Sequence, residues 1–185
     1  MSAPAVYLAA FQPLQALAKQ QVFRPEQVCS ALAKIFSVDL SEVGLLRLEG
    51  RTLSFLFPLE LRTSGFIPLS SSALAAETAQ SMKAKFFNNF ARVRHDSIFE
   101  VVAAGVKVNS ALRTIQKLMS APIMRDGACL GVIQVCRKGF NPEAAGPDFD
   151  AEQLARLEQA GIQIGKLMHE QKMSPSAVES GIIVF

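Results

Sequence analysis

The stretch "APIMRDGACLGVIQVC", residues 121–136, narrows what this chain can fold into more than any other. Asp126 and Gly127 both tolerate the positive φ that a two-residue type I′ turn requires at its central positions, so the dipeptide predicts a tight hairpin. The strands it joins are "SAPIM" and "ACLGVIQVC". The second is apolar on both faces apart from Gln134, which predicts a central strand covered from both sides.

Further strand and helix signals surround this hairpin. Leu46-Arg47-Leu48-Glu49 alternates, Gly50 and Arg51 supply a turn, and Leu53 to Phe57 resumes the apolar pattern until Pro58: a second hairpin. Ahead of it, "FRPEQVCSALAKIF" has Pro25 in its first turn, Glu26 near the positive end of the dipole and Lys34 near the negative end, with Val28, Leu32 and Ile35 on one face. "LQALAKQ" after Pro13 has the composition of a shorter helix. Phe66, Ile67 and Leu69 lead into "SSSALAAETAQSMK", where a Ser-rich start opens an Ala-rich helix, and "AKFFNNF" reads as a short strand. The segment "ARVRHDSIFEVVAAGVKVNSALRTIQKLM" has no single period and predicts a long, partly helical crossover. Asp150 and Gln153 then form a D-x-x-Q variant of the capping box before a last helix. Within that helix Leu154, Leu157, Gly161, Ile164 and Met168 recur at spacings of 3, 4, 3 and 4, a seam that could face the sheet or a partner.

Half of the 185 residues are apolar, which predicts one domain over residues 22–172, an N-terminal helical extension over 1–21 and a tail over 173–185. A net charge of +3, no Trp and a single Tyr argue against nucleic acid as a partner. The charge is uneven: residues 81–120 hold seven Lys and Arg against two carboxylates, and residues 141–185 hold three against seven. These regions are either two solvated faces of opposite sign or groups that meet within the fold, between subunits or around an anion. The apolar N-terminus lacks a basic n-region and an A-x-A cleavage site, and no apolar run reaches the length of a membrane span, so a cytoplasmic protein without membrane association is expected. Cys29, Cys129 and Cys136 lack metal-ligand spacing and fit reduced thiols.

The order is helix, hairpin, strand, Ala-rich helix, strand, crossover, apolar hairpin, terminal helix. Through "SAPIMRDGACLGVIQVCRKG", "FDAEQLARLEQAGIQIG" and "ALAAETAQSMKAKFFNNF", the chain over residues 22–170 resembles the GAF domain family. The resemblance implies an α+β fold related to PAS domains: a central antiparallel sheet, terminal helices on one face, and a small-molecule pocket on the other under the irregular crossover. It also implies a sensory or regulatory role, a homodimer and a separate signalling partner, without naming a cofactor. Of the family's cyclic-nucleotide positions, which read here Arg137, Lys138, Phe149, Gln153 and Leu154, only Lys138 and Phe149 are kept. Bilin attachment calls for a Cys beside a His in the crossover, and His95 has no such neighbour.

The candidate ligand-binding residues are Phe87, Asn89, Arg92, Arg94, His95, Phe99, Arg113 and Gln134, whose guanidinium, imidazole and amide donors suit a carboxylate or phosphate. The competing reading pairs those arginines with the acidic C-terminal region. In a rival class, an interaction protein, the pocket is filled by Phe86, Phe87, Phe90 and Phe99. A third class is a thiol-based methionine sulfoxide reductase. Arg137 and Lys138 would favour a Cys136 thiolate, but strand alternation places Cys129 and Cys136 on opposite faces, about 23 Å apart at roughly 3.3 Å per residue. Buried, inert cysteines are therefore expected, and no catalytic or metal-ligating residue is assigned. Leu154, Leu157, Gly161, Ile164 and Met168 are the candidate dimer interface.

Overall fold

The computed structural model describes residues 11–20, 23–63, 65–90 and 114–173, with side chains to residue 168. Its elements are α1 (Gln12–Lys19), α2 (Pro25–Phe36), β1 (Val43–Glu49), β2 (Thr52–Phe57), β3 (Phe66–Pro68), α3 (Leu74–Ser81), β4 (Lys85–Phe87), β5 (Thr114–Arg125), β6 (Ala128–Gly139) and α4 (Ala151–Met173). The strands form one six-stranded sheet in the order β3-β2-β1-β6-β5-β4, and every pairing is antiparallel. Asp126 and Gly127 have φ of 50° and 77°, the left-handed pair a type I′ turn needs, and they close the hairpin with Arg125 opposite Ala128. β6 lies between β1 and β5 and is buried from Gly131 to Arg137, as its apolar character on both faces requires.

Three helices cover one face. α2 turns Val28, Cys29, Leu32 and Phe36 inward against Val43, Leu45, Ile133 and Val135 of the sheet. Leu14 of α1 and Phe11 at its N-cap join the same cluster, so the N-terminal helix is part of this layer. α4 begins at the expected capping box: the Gln153 N–H donates to Asp150 Oδ1 at 2.7 Å, and the Asp150 N–H donates to Gln153 Oε1 at 3.3 Å. It then runs along β5 at very close range. A Cβ built on Gly161 would lie 2.4 Å from the Pro122 carbonyl oxygen, and one on Gly165 would lie 2.2 Å from the Met124 oxygen.

That approach corrects the expected dimer interface. Leu157, Ile164 and Met168 are buried in the same cluster as Met119 and Ile123, Gly161 sits on the β5 backbone, and Leu154 packs against the cluster edge. The 3-4 spacing of the seam suits a sheet as well as a partner, and what it packs on is the chain's own sheet.

Two further expectations change. β5 begins at Thr114, so "TIQKLM" belongs to a strand and not to the crossover. Its pattern misleads because both faces are covered and its polar residues find partners far along the chain: Gln116 Nε2 donates to Gly139 O at 3.0 Å, and Lys117 Nζ donates to Gly146 O at 2.6 Å and pairs with Asp148 at 2.7 Å. The Ser-rich start of α3 does not cap it through Ser at the N-cap, which is Ala73; Ser71 Oγ instead accepts the Ala73 N–H at 3.4 Å. Residues 91–113, the remainder of the expected crossover, lie outside the described residues.

Candidate functional site

The face opposite the three helices carries α3 and the short 3-10 turn Leu59–Leu61, whose Leu61 is buried there, and its apolar surface is divided. On one side Leu46, Leu53, Phe55 and Val132 pack with Ala75, Ala76 and Ala79 of α3. On the other, Ile115, Leu118 and Cys136 pack with Leu74, Phe90 and Phe87. Between them a row of residues crosses four strands in register: Gly44 of β1, Gln134 of β6, Ser120 of β5 and Lys85 of β4. Gln134, Ser120 and Thr78 of α3 are all buried.

These three side chains form a directional chain. Thr78 Oγ1 has a single proton, which it donates to Leu74 O at 2.8 Å. The 2.8 Å contact between Thr78 and Ser120 must then be donated by Ser120, whose oxygen is left to accept from Gln134 Nε2 at 3.5 Å. The Gln134 amide oxygen takes no part in this chain, so the arrangement holds one carboxamide between two apolar patches with its acceptor end uncommitted to it. At the outer end of the row Lys85 pairs with Glu77 of α3.

Of the candidate ligand-binding residues, Gln134 and Phe87 fall on this face, Phe87 opposite Leu118 and with its ring 6.2 Å from that of Phe90 at 53°. Asn89 is exposed, whereas its neighbour Asn88 clasps Phe149 through two bonds of 2.9 and 2.8 Å just ahead of α4. Arg92, Arg94, His95, Phe99 and Arg113 lie outside the described residues. Thr78 and Ser120 were not singled out from the sequence. The signal that could have found Ser120 is its place opposite Gln134, but the hairpin register hides it: Met124 pairs with Cys129 and Ile123 with Gly131, so Leu130 is an extra residue and everything below slides by one.

The same bulge corrects the alternation argument for the cysteines. Cys129 packs beside Leu46 and Val132, while Leu130 packs on the helical side, so Cys129 and Cys136 share the α3 face. They remain at opposite ends of the strand. Cys29 and Cys136 are buried and Cys129 is half-buried; burial raises the Cys29 and Cys129 thiols above the ordinary range. The cations beside Cys136 are engaged elsewhere. Arg137 donates to Phe36 O at 3.3 Å and lies 4.9 Å over the Phe149 ring, and Lys138 Nζ donates to Ser41 O at 2.8 Å. Among the described residues no group of three His, Cys, Asp or Glu side chains could hold a metal ion, and no helix is long and apolar enough to cross a membrane.

No protein-family model matches the chain, and no curated protein matches it in sequence. Solved structures do match. The GAF domain of a phosphoenolpyruvate-protein phosphotransferase from Acinetobacter superposes with a TM-score of 0.68 at 14% identity, covering 94% of this chain and 98% of that one. The fold is that of a GAF domain. A free methionine-R-sulfoxide reductase from Neisseria meningitidis, solved with its substrate, gives 0.65 at 15% identity over 94% of each chain. Residues 122 to 287 of a methyl-accepting chemotaxis protein give 0.64 at 11%, covering 89% of this chain and 99% of that one. The same scaffold thus recurs in a phosphotransferase, a reductase and a chemotaxis protein among these neighbours, and identities this low carry the fold without the chemistry.

Proposed function

We propose that this chain is a cytoplasmic sensory or regulatory GAF module that binds a small, anionic ligand on the α3 face of its sheet and acts on a separate protein. The observation that carries the reading is the buried Gln134–Ser120–Thr78 chain between two apolar clusters. Burying an amide and two hydroxyls is costly without full pairing, and an apolar row would serve packing alone more cheaply. A carboxamide held there offers an acceptor and a donor to a small molecule lying across the row. The anionic preference comes from the sequence. Arg92, Arg94, His95 and Arg113 fall between Phe90, which is buried on this face, and Thr114, where β5 begins.

Native mass spectrometry of the protein as purified, and again after incubation with cell extract, tests this. A defined extra mass that is lost in the Arg92→Ala/Arg94→Ala protein supports the reading and yields the ligand. A clean protein mass after both treatments rejects it in favour of an interaction module with a self-filled pocket. One observation favours that second reading: Phe90 is already buried against Phe87, Leu118 and Cys136. The thiol-reductase reading draws support from the fold shared with the Neisseria enzyme. Against it stand the burial of Cys29 and Cys136 and the raised thiols of Cys29 and Cys129. Turnover of free methionine sulfoxide that disappears in Cys136→Ser would revive it.

A further inference from the structure

The sheet ends at β3, and the outer edge of that strand is open at Phe66. β3 pairs with β2, and just beyond it the Leu69 N–H donates to Arg51 O at 2.9 Å. With Leu53 opposite Ile67, the alternation of an antiparallel ladder turns the N–H and C=O of Ile67 toward β2 and those of Phe66 away from it. Pro68 has no N–H to offer, and its carbonyl accepts the Ser71 N–H at 3.0 Å. Ile67 is buried on the α3 side, so the Phe66 ring points to the helical side, where it is 63% exposed. Phe66 thus presents a donor, an acceptor and an uncovered aromatic ring together at the sheet edge.

We infer that residues 181–185 of this same chain, Gly-Ile-Ile-Val-Phe, add a seventh strand to the sheet, antiparallel to β3. The topology sets the direction. Gly165 of α4 lies on Met124, so the helix leaves the sheet at the end that carries the β5–β6 turn. Arg47 opposite Gly131 puts the β1–β2 turn at that same end, and Thr52 opposite Pro68 puts the C-terminal end of β3 there too. A segment arriving from α4 therefore passes along β3 from Pro68 toward Phe66, antiparallel to it like every other neighbour in the sheet. The distance suits. Four strand steps separate β5 from β3, about 19 Å at roughly 4.8 Å each, and residues 174–180 span up to about 23 Å at roughly 3.3 Å per residue. The chemistry suits as well. Ile182, Ile183, Val184 and Phe185 are β-branched or aromatic, and their alternating side chains would cover Phe66 on one face and join Ile67 on the other. Pairing there also closes an open edge. The inference does not depend on the ligand reading.

Disulfide trapping on the full chain tests the pairing. Phe66→Cys is combined in turn with Ile182→Cys, Ile183→Cys and Val184→Cys, and each protein is gently oxidised. A strand alternates its side chains, so the expected cross-link forms within one chain either at 183 or at its neighbours 182 and 184, never at all three. Phe66→Cys alone gives no link, since Cys29 and Cys136 are buried. Hydrogen exchange supplies a readout without added cysteines: the Phe66 amide exchanges roughly tenfold or more slowly in the parent than in Ile182→Asp/Ile183→Asp. Those substitutions fall outside the described residues and leave the core as it is, which circular dichroism verifies. Cross-links that form equally at all three positions, between chains, or not at all overturn the inference, as does a Phe66 amide that exchanges as fast in the parent as in the variant.

Discussion

The two faces of the sheet are built on different plans. The helical face is one continuous apolar cluster that runs from Phe11 and Leu14 of the N-terminal helix to Met168 of α4, closed by a helix lying directly on the β5 backbone. The α3 face is two smaller clusters kept apart by hydrogen-bonded polar side chains. Continuous burial maximises the area removed from water. An interrupted surface gives up part of that gain and keeps a polar position where a molecule can be recognised. Stability therefore resides mainly on the helical face of this sheet, and the proposed function assigns ligand selectivity to the other.

The comparison breaks first on the helical face. Leu157→Ala removes a fully buried side chain from the shared cluster and should cost about 3 to 4 kcal/mol in urea unfolding, among the largest effects of any single truncation here. Gly165→Ala should follow at about 2 kcal/mol, because its Cβ would meet the Met124 carbonyl oxygen at 2.2 Å and backbone on both sides must give way. If instead both variants unfold with the parent's midpoint, α4 is not tightly seated on β5. The division of labour then fails on its stable side.

Much of that stable side was legible in the sequence, and the reasons are local. The type I′ turn needs two residues of unusual backbone freedom and Asp126-Gly127 supplies them; the capping box at Asp150 and Gln153 needs two side chains at fixed spacing. The direction in which the α4 seam faces was not legible, since the same 3-4 spacing suits a sheet or a partner; the glycines at 161 and 165 were the discriminating mark. The start of β5 was hidden by Gln116 and Lys117, whose burial depends on Gly139, Gly146 and Asp148 far along the chain. The site was the least legible part. Gln134 stood out as a polar residue in an apolar strand, but its partners depend on the bulge at Leu130, and a one-residue slip reverses which side chains share a face.

A subtler test separates the two faces by the kind of coupling they show. Thr78→Val leaves the Ser120 hydroxyl without its acceptor and should cost about 1.5 kcal/mol, as should Ser120→Ala for the converse reason. Removing both together should cost clearly less than the sum, because neither buried group is then left unpaired. Strict additivity in this cycle would mean that the 2.8 Å contact contributes nothing and that the polar row is only a gap in the packing.

The smallest expected stability effect discriminates most sharply. Gln134 is the terminal donor of the chain, and its 3.5 Å contact to Ser120 is long, so Gln134→Leu takes away only a weak bond. Ser120 still donates to Thr78, and Thr78 still donates to Leu74 O. A side chain of similar size then bridges the two apolar clusters, and the unfolding free energy should move by no more than about 0.5 kcal/mol. Binding should respond differently: whatever mass the purified protein retains should be lost, since the one carboxamide in the row is gone. Stability unchanged with ligand lost places selectivity on the α3 face. A loss of about 2 kcal/mol with ligand retained would make Gln134 a structural residue, and the ligand would then have to lie away from this row.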